Sequence, residues 1–399
     1  MSDAVKGGYP ASPVETLNAR SQTSGRIVPK KRGSASTISI LLVLLALFSI
    51  RCAADEVTNL FPPVEWDTMA RTTTGVGYRD NILRTGIAAE GGAFFNTAAD
   101  ASFIRLADND AYLSFFILAD DTRYLDVPAV EYEQFFSGAA QAVMPVGPLD
   151  ELGGQFGYLY QHQVVDLSED GTAVTRMLVD GHSYTLRPHW KHTLGGGWVV
   201  RFEVSGLRQL YGGDLSDYWD AAAAGSLIRT YGNRSEISII SQSKHIWYDS
   251  RKETDRFGVA ITNTDLVFLQ NEIGCEWRHN WDKARQWRTT SKFSYMVNQD
   301  NGSGYFDYDR LLLKQQLRWK SSLWEIKTNT RFSWYNYPVK RMGSEPLERS
   351  SMLLDARIER RVGKRWLIYL SAEHEWSTSN DLRDQYKAWM AGGGVGFEL

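Results

Sequence analysis

The chain has 399 residues, 43% of them apolar and 13% aromatic, with 14 tryptophans and a formal net charge of −3. Past residue 54 no apolar run reaches the roughly 18 residues that a membrane helix needs, which excludes a helical membrane protein. A β-barrel stays open, because only alternate residues of each strand must face lipid, and one large barrel accommodates this length as a single unit.

Residues 1–54 read as a targeting segment. Lys6, Arg20, Arg26, Lys30, Lys31, Arg32 and Arg51 outnumber Asp3 and Glu15, and the Lys30-Lys31-Arg32 cluster precedes a short apolar run from Ile38 to Ile50. That run is too short to span a bilayer comfortably. Cys52-Ala53-Ala54 satisfies the small-x-small rule for cleavage, which places the mature start at Asp55. Arg51 is a poor fit to a lipidation site at Cys52. Cleavage leaves Cys275 alone, so export proceeds without an internal disulfide. It also makes the mature chain distinctly acidic, which argues against nucleic acid as a partner. Residues 55–64, with Pro62-Pro63, read as a stiff linker in the periplasm.

From residue 65 to 399 period-two alternation recurs and helical periodicity does not persist. The pattern predicts strands at 65–78, 91–106, 111–125, 131–145, 152–165, 182–193, 198–205, 218–231, 235–248, 265–281, 285–298, 305–320, 323–337, 350–361, 365–378 and 386–399. That count is even, as bacterial single-chain barrels require. Short turns, such as Ala107 to Asp110, Leu194 to Gly197, Gly232-Asn233-Arg234 and Val362-Gly363-Lys364, alternate with longer connections near 79–90, 166–181, 206–217, 249–264, 299–304, 338–349 and 379–385. Tight periplasmic turns and longer outer loops produce this rhythm, and both chain ends then lie on the periplasmic side. The expected fold is an all-β, transmembrane, antiparallel up-and-down barrel of about 16 strands.

The late strands show their faces plainly. Trp324, Ile326, Thr328, Thr330, Phe332 and Trp334 oppose Glu325, Lys327, Asn329, Arg331 and Ser333, and Trp366 to Trp376 alternates in the same way with Glu373 and Glu375. Trp324 and Trp334 share a face ten residues apart, as do Trp366 and Trp376. At about 3.3 Å per residue that is about 33 Å of strand. A tilt of about 40° reduces it to about 25 Å, the height of an apolar band between two aromatic girdles. Indoles favour that interface, where the ring is apolar and the N–H stays wet. The opposite faces supply candidate lumen-lining groups: Lys314, Arg318, Lys320, Lys327, Arg331, Arg357 and Arg361 against Glu325, Asp355, Glu359, Glu373 and Glu375. So many charges in one wall need water or mutual pairing.

The last strand ends Val395-Gly396-Phe397-Glu398-Leu399. It resembles the terminal signature of outer-membrane proteins that the barrel-assembly machinery reads, with Leu in place of the usual final Phe. The segment Tyr78-Arg79-Asp80-Asn81-Ile82-Leu83-Arg84, followed by Gly91-Gly92-Ala93-Phe94-Phe95, resembles a stretch of outer-membrane barrels associated with exopolysaccharide or capsule export. That resemblance covers about thirty residues and implies a porin-like conduit with no catalytic residues. It implies a Gram-negative-type outer membrane as location, with lipid, the assembly machinery and a hydrophilic solute or polysaccharide as partners.

Catalytic chemistry finds little support. His182-Ser183 resembles the His and Ser of outer-membrane lipases, but adjacent strand residues point to opposite faces. His189 and His192 are likewise a poor metal pair. There is no P-loop, Cys-x-x-Cys or helical His-Glu-x-x-His, so no enzyme activity, metal or cofactor is expected. Gly392-Gly393-Gly394 lies within a strand, where it relieves crowding or permits closure rather than binding phosphate. The lead expectation is a channel for hydrophilic solutes, with polysaccharide export or uptake as its finer form. The alternatives are a non-conducting adhesin, receptor or assembly scaffold acting through loops 249–264 and 338–349, and a surface hydrolase dependent on Ser183.

Overall fold

The structure, a computed structural model, describes residues 66–86, 89–106, 111–166, 176–213 and 215–399. The targeting segment and linker expected at 1–54 and 55–64 lie outside the described residues, as does the turn expected at Ala107 to Asp110.

Sixteen antiparallel strands form one closed barrel in which every strand pairs with its chain neighbours and the first pairs with the last. In chain order they are β1 (Trp66–Arg79), β2 (Gly92–Leu106), β3 (Tyr112–Tyr124), β4 (Tyr132–Pro145), β5 (Asp150–Asp166), β6 (Arg176–Gly195), β7 (Trp198–Tyr211) and β8 (Tyr218–Tyr231). There follow β9 (Ser235–Tyr248), β10 (Val267–Asn280), β11 (Trp287–Asp300), β12 (Tyr308–Lys320), β13 (Trp324–Met342), β14 (Glu345–Val362), β15 (Trp366–Ser379) and β16 (Tyr386–Glu398). The sixteen strands expected from the alternation are all present. Closure satisfies the backbone donors and acceptors of both outer strands, so no sheet edge is left to aggregate.

Short turns gather at one end of the barrel, the turn end, and longer connections at the other, the loop end. Three expected loops are corrected. The connection at 338–349 is mostly strand: Arg341 pairs with Pro346 and Met342 with Glu345, beyond an irregularity between Tyr337 and Arg341. Only Gly343-Ser344 turns, with Gly343 at φ 64°. Its Arg, Lys and Glu content marked solvent correctly but not loop, because a hairpin standing in water is as polar as a coil. The connection at 166–181 shrinks because β5 and β6 pair out to Asp166↔Arg176. The one at 206–217 shrinks because β7 runs through Gly206 to Tyr211.

Side-chain parity is continuous around the barrel. Arg71 on β1 reaches Glu359 on β14, and Arg79 on β1 reaches Glu133 on β4. Neither pair is on neighbouring strands, so both must cross the concave side, which fixes the inward face. By register the outward face carries every tryptophan of the sixteen strands. It also carries a belt of exposed apolar side chains, among them Leu186, Phe202, Ile239, Ile273, Phe293, Ile358 and Leu370. This belt is far more extensive than the isolated patches of water-soluble surfaces.

The closure seam is made of glycine. Gly75 pairs with Gly394 and Gly77 with Gly392. A Cβ on Gly394 would lie 2.0 Å from the Thr74 carbonyl oxygen, and one on Gly75 would lie 2.3 Å from the Tyr369 hydroxyl. Without side chains here, β1 and β16 approach closely and Tyr369 lies across their inner surface.

Candidate functional site: the charged lumen

The inward face holds polar and charged residues on almost every strand, and around the loop half it encloses a cavity of about 720 Å³. The residues singled out from the sequence fall on two sides of the sheet. Lys314, Arg318, Lys320, Glu325, Lys327, Arg331, Asp355, Arg357, Glu359, Arg361, Glu373 and Glu375 share the inward parity. Trp324, Trp334, Trp366 and Trp376 share the outward one.

Most of the inward charges meet opposite charges. Toward the turn end Glu325 accepts from Arg318 (2.9 Å) and lies 2.9 Å from Lys327 and 4.0 Å from Lys320. Glu359 accepts two bonds from Arg71, at 3.0 and 3.1 Å, and one from Arg357 at 2.6 Å. Arg361 pairs with Glu398 at 2.8 Å. The Arg357 guanidinium also lies 3.9 Å from the centroid of Tyr369. Asp355 accepts from Asn329, which in turn accepts from Gln316. Pairing of this kind makes so dense a charge set tolerable in a confined wall.

A second network lies toward the loop end. Arg79 sits between Glu133 (3.3 Å) and Glu373 (3.6 Å) and donates to Tyr124. Tyr124 donates to Glu133 at 2.6 Å. Arg84 enters this network from the β1–β2 connection. Its Nε is 2.9 Å from Glu375 on β15, and its Nη1 donates to the Val164 carbonyl on β5 at 3.2 Å. Glu375 also accepts from the Tyr386 hydroxyl. Burial alone would lower the Arg84 pKa; Glu375, Glu373, Tyr386 and Glu133 outweigh it and hold the group above its ordinary value. A loop residue bonded to strands on both sides of its own hairpin must hang into the lumen.

The segment Tyr78–Arg84 holds the loop in that pose. Asp80 accepts from the Trp389 backbone N–H. Asn81 is buried; its amide donates to the carbonyls of Thr85 and Lys387 and its oxygen accepts from the Thr85 N–H. Ile82 is fully buried in a cluster with Phe94, Tyr124, Val127, Val130 and Val164, which joins the β1–β2 and β3–β4 connections. Arg84 itself has φ 52°, an unfavourable region for a side chain bearing a Cβ. The surrounding bonds over-determine it.

Two further inward clusters are aromatic: Tyr308, Tyr335 and Tyr337 with Met296 and Leu347, and Tyr248 with Phe268, Ile246 and Leu266. The 249–264 connection folds onto the second. Arg251 sits 4.5 Å from the centroid of Phe306, and its burial lowers its pKa. Sequence reasoning missed Arg71, Arg79, Arg84, Glu133 and Glu398. The alternation Arg71, Thr73, Gly75, Gly77, Arg79 carried the signal for the first two.

His182 and Ser183 point to opposite faces. His182 bonds the Tyr158 hydroxyl outside, while Ser183 is buried on the inward side. His189 and His192 diverge likewise, His192 meeting Asp150 at 2.8 Å.

The register and the two faces define a closed antiparallel barrel with an apolar outer belt and a charged interior. No family model and no curated protein matches the sequence. Similar solved structures include OccAB1 of Acinetobacter baumannii, at 7% identity over 86% of this chain and 99% of that one, with a TM-score of 0.43. They also include an anion-selective porin from Comamonas acidovorans (10%, 84% and 99%, 0.42) and CdiB from A. baumannii (9%, 83% and 60%, 0.45).

Proposed function

We propose that the chain is a porin-like channel of a Gram-negative-type outer membrane that passes hydrophilic solutes through its lumen. One observation carries this reading: a single closed sheet is apolar with tryptophans outside and charged around a cavity inside. Burying a large apolar side chain contributes about 1.5–3 kcal/mol, so a belt this size is stable only in hydrocarbon. The two tryptophan levels on β13 and β15 fit the interfacial positions of a bilayer. The short turns and both strand termini then face the periplasm. The end of β16 and Leu399 after it, whose N–H bonds the Ala70 carbonyl, serve as the segment the assembly machinery recognises.

The test is conductance of the purified barrel in a planar bilayer. Stepwise current is expected. Replacing Arg318, Arg331 and Arg357 together with Gln is expected to shift the reversal potential in a salt gradient toward cations, because the wall then loses positive charge while Glu325, Asp355 and Glu359 remain. Absence of both conductance and solute flux from the folded barrel would refute the open channel.

A polysaccharide is the finer form of the proposal, supported by the resemblance of Tyr78–Arg84. Flux of neutral oligosaccharides into proteoliposomes tests it separately from ion current. The non-conducting scaffold is favoured by a different observation, the inward β1–β2 loop locked by Arg84. It predicts that wild-type protein is silent and stays silent when that lock is removed.

A further inference from the structure

The outward face repeats one arrangement: an arginine paired across the sheet with an aromatic ring. At the loop end, Arg123 is paired with Tyr132 and lies 4.7 Å from its centroid; Arg208 is paired with Trp219 and lies 5.0 Å from its centroid. Both guanidiniums have a carboxylate of the protein itself. Arg123 meets Asp121 at 2.9 Å, and Arg208 meets Asp249 at 2.5 and 2.9 Å. The Arg208 bond holds the Asp249 pKa below its ordinary value.

At the turn end the arrangement recurs three times, at Trp66↔Arg105, Trp198↔Arg229 and Trp324↔Arg360. Arg229 and Arg360 each lie 5.2 Å from the centroid of the paired indole. Each tryptophan opens its strand and each arginine stands within three residues of its strand's end, so the three pairs all stand at the turn end. All three arginines are exposed, and none has a carboxylate partner among the described residues. The same chemistry is therefore neutralised by the protein at one rim and left positive at the other.

We propose that these three pairs are binding sites for the phosphate of membrane phospholipids, which fix the depth of the barrel in the leaflet at its turn end. The inference rests on the membrane-spanning reading. A guanidinium presents a fork of donors suited to a phosphodiester anion, and at Arg229 and Arg360 the indole beneath holds it in place. What selects a lipid over a soluble anion is the surface next to each cation. Stepping by two residues from Arg360 along β14 leads to Ile358 and Leu354, and from Arg229 along β8 to Leu227 and Ala223. An anion with a long alkyl tail fits this sequence of surfaces; a bare anion uses only its end.

The probe is dioleoylphosphatidylglycerol, compared with dioleoylglycerol, the same diacylglycerol without the charged phosphoglycerol headgroup, each added to the folded barrel in detergent and counted by native mass spectrometry. The wild type is expected to retain up to three phospholipids in excess inorganic phosphate, and to retain dioleoylglycerol at least tenfold less. R105Q/R229Q/R360Q is expected to reduce phospholipid retention at least tenfold, each single variant to remove one bound lipid, and R208Q to leave retention unchanged. Equal retention by the triple variant, or equal retention of dioleoylglycerol, overturns the proposal. If the triple variant does not fold, judged by its unboiled gel mobility, the single variants decide. Wild type that fails to enter phosphatidylcholine vesicles would refute the membrane reading instead; normal entry with unchanged retention in the variants refutes the phosphate sites alone.

Discussion

Replacing Glu375 with Gln is expected to release the β1–β2 loop from the lumen and raise single-channel conductance several-fold. Glu375 is the carboxylate nearest Arg84, at 2.9 Å, and it also accepts from Tyr386. Gln keeps the shape but leaves a part-buried guanidinium without its closest counter-charge. Removing one partner of a fully buried pair costs about 3–5 kcal/mol; here, with Arg84 and Glu375 part-exposed, the cost is smaller. The Asn81 bonds and the burial of Ile82 oppose release, but they hold the base of the loop rather than its tip. Arg84 already occupies a backbone region that costs a residue with a Cβ about 1–2 kcal/mol, so the tip gains on leaving. Hydrogen exchange at Leu83 and Arg84 should rise in the variant together with conductance. In R84L the charge is absent from the start, so adding E375Q to it should cost much less than E375Q alone. Equal costs in the two backgrounds, or unchanged conductance, would show that Arg84 does not lock the loop through Glu375.

The barrel was legible in the sequence because its period is two and its faces meet opposite solvents. A single strand such as Trp324 to Trp334 shows the pattern without any knowledge of its neighbours. Hairpin lengths were less legible, because 338–349 is polar whether it coils or pairs beyond the apolar belt. The lumen was half legible. Parity separates Glu359 from Ile358, but it cannot tell that Glu359 meets Arg71, which is near the other end of the chain and three strands away around the closure. Arg84 was the hardest residue to interpret. Its role depends on a loop turning inward, and that is set by Asn81 and Ile82 meeting β16 and the β3–β4 connection rather than by any local preference. The Tyr78–Arg84 stretch was noticed as a motif, and its residues turn out to divide between anchoring the loop and charging the cavity.

The two ionic networks also differ in what they can do. Around Glu325 and Glu359 the partners are wall residues, on the same strand, on the next one or, for Arg71, three strands away across the lumen, so these pairs hold the wall to itself. Around Glu375 one partner belongs to a loop, so that pair couples the wall to a segment able to leave. A change of charge in the first network should therefore alter ion preference at similar conductance, and one in the second should alter conductance itself. Measuring both quantities on both sets of variants separates selectivity from obstruction.

Gly394→Val is expected to abolish barrel closure. The Cβ would lie 2.0 Å from the Thr74 oxygen and 2.6 Å from the Gly75 Cα, both main-chain atoms of the paired strand. No side-chain rotation relieves such contacts, so β1 must move away from β16. Overpacking of an ordinary core costs about 1–3 kcal/mol, but here the displacement also breaks the ladder between Arg71↔Glu398 and Arg79↔Met390. Two strand edges would then be unpaired, which in hydrocarbon costs several kcal/mol for each unsatisfied group. The loss is cooperative, since Arg71–Glu359 and the position of Tyr369 both depend on the seam. The control is Gly154→Val on β5, where a Cβ meets nothing within 4 Å; it should fold like the wild type. On unboiled gels the Gly154 variant is expected to keep the compact band and the Gly394 variant to run as unfolded chain. A compact, protease-resistant Gly394→Val barrel would mean that β1 and β16 tolerate a wider separation than their glycines imply, and that closure is held elsewhere in the wall.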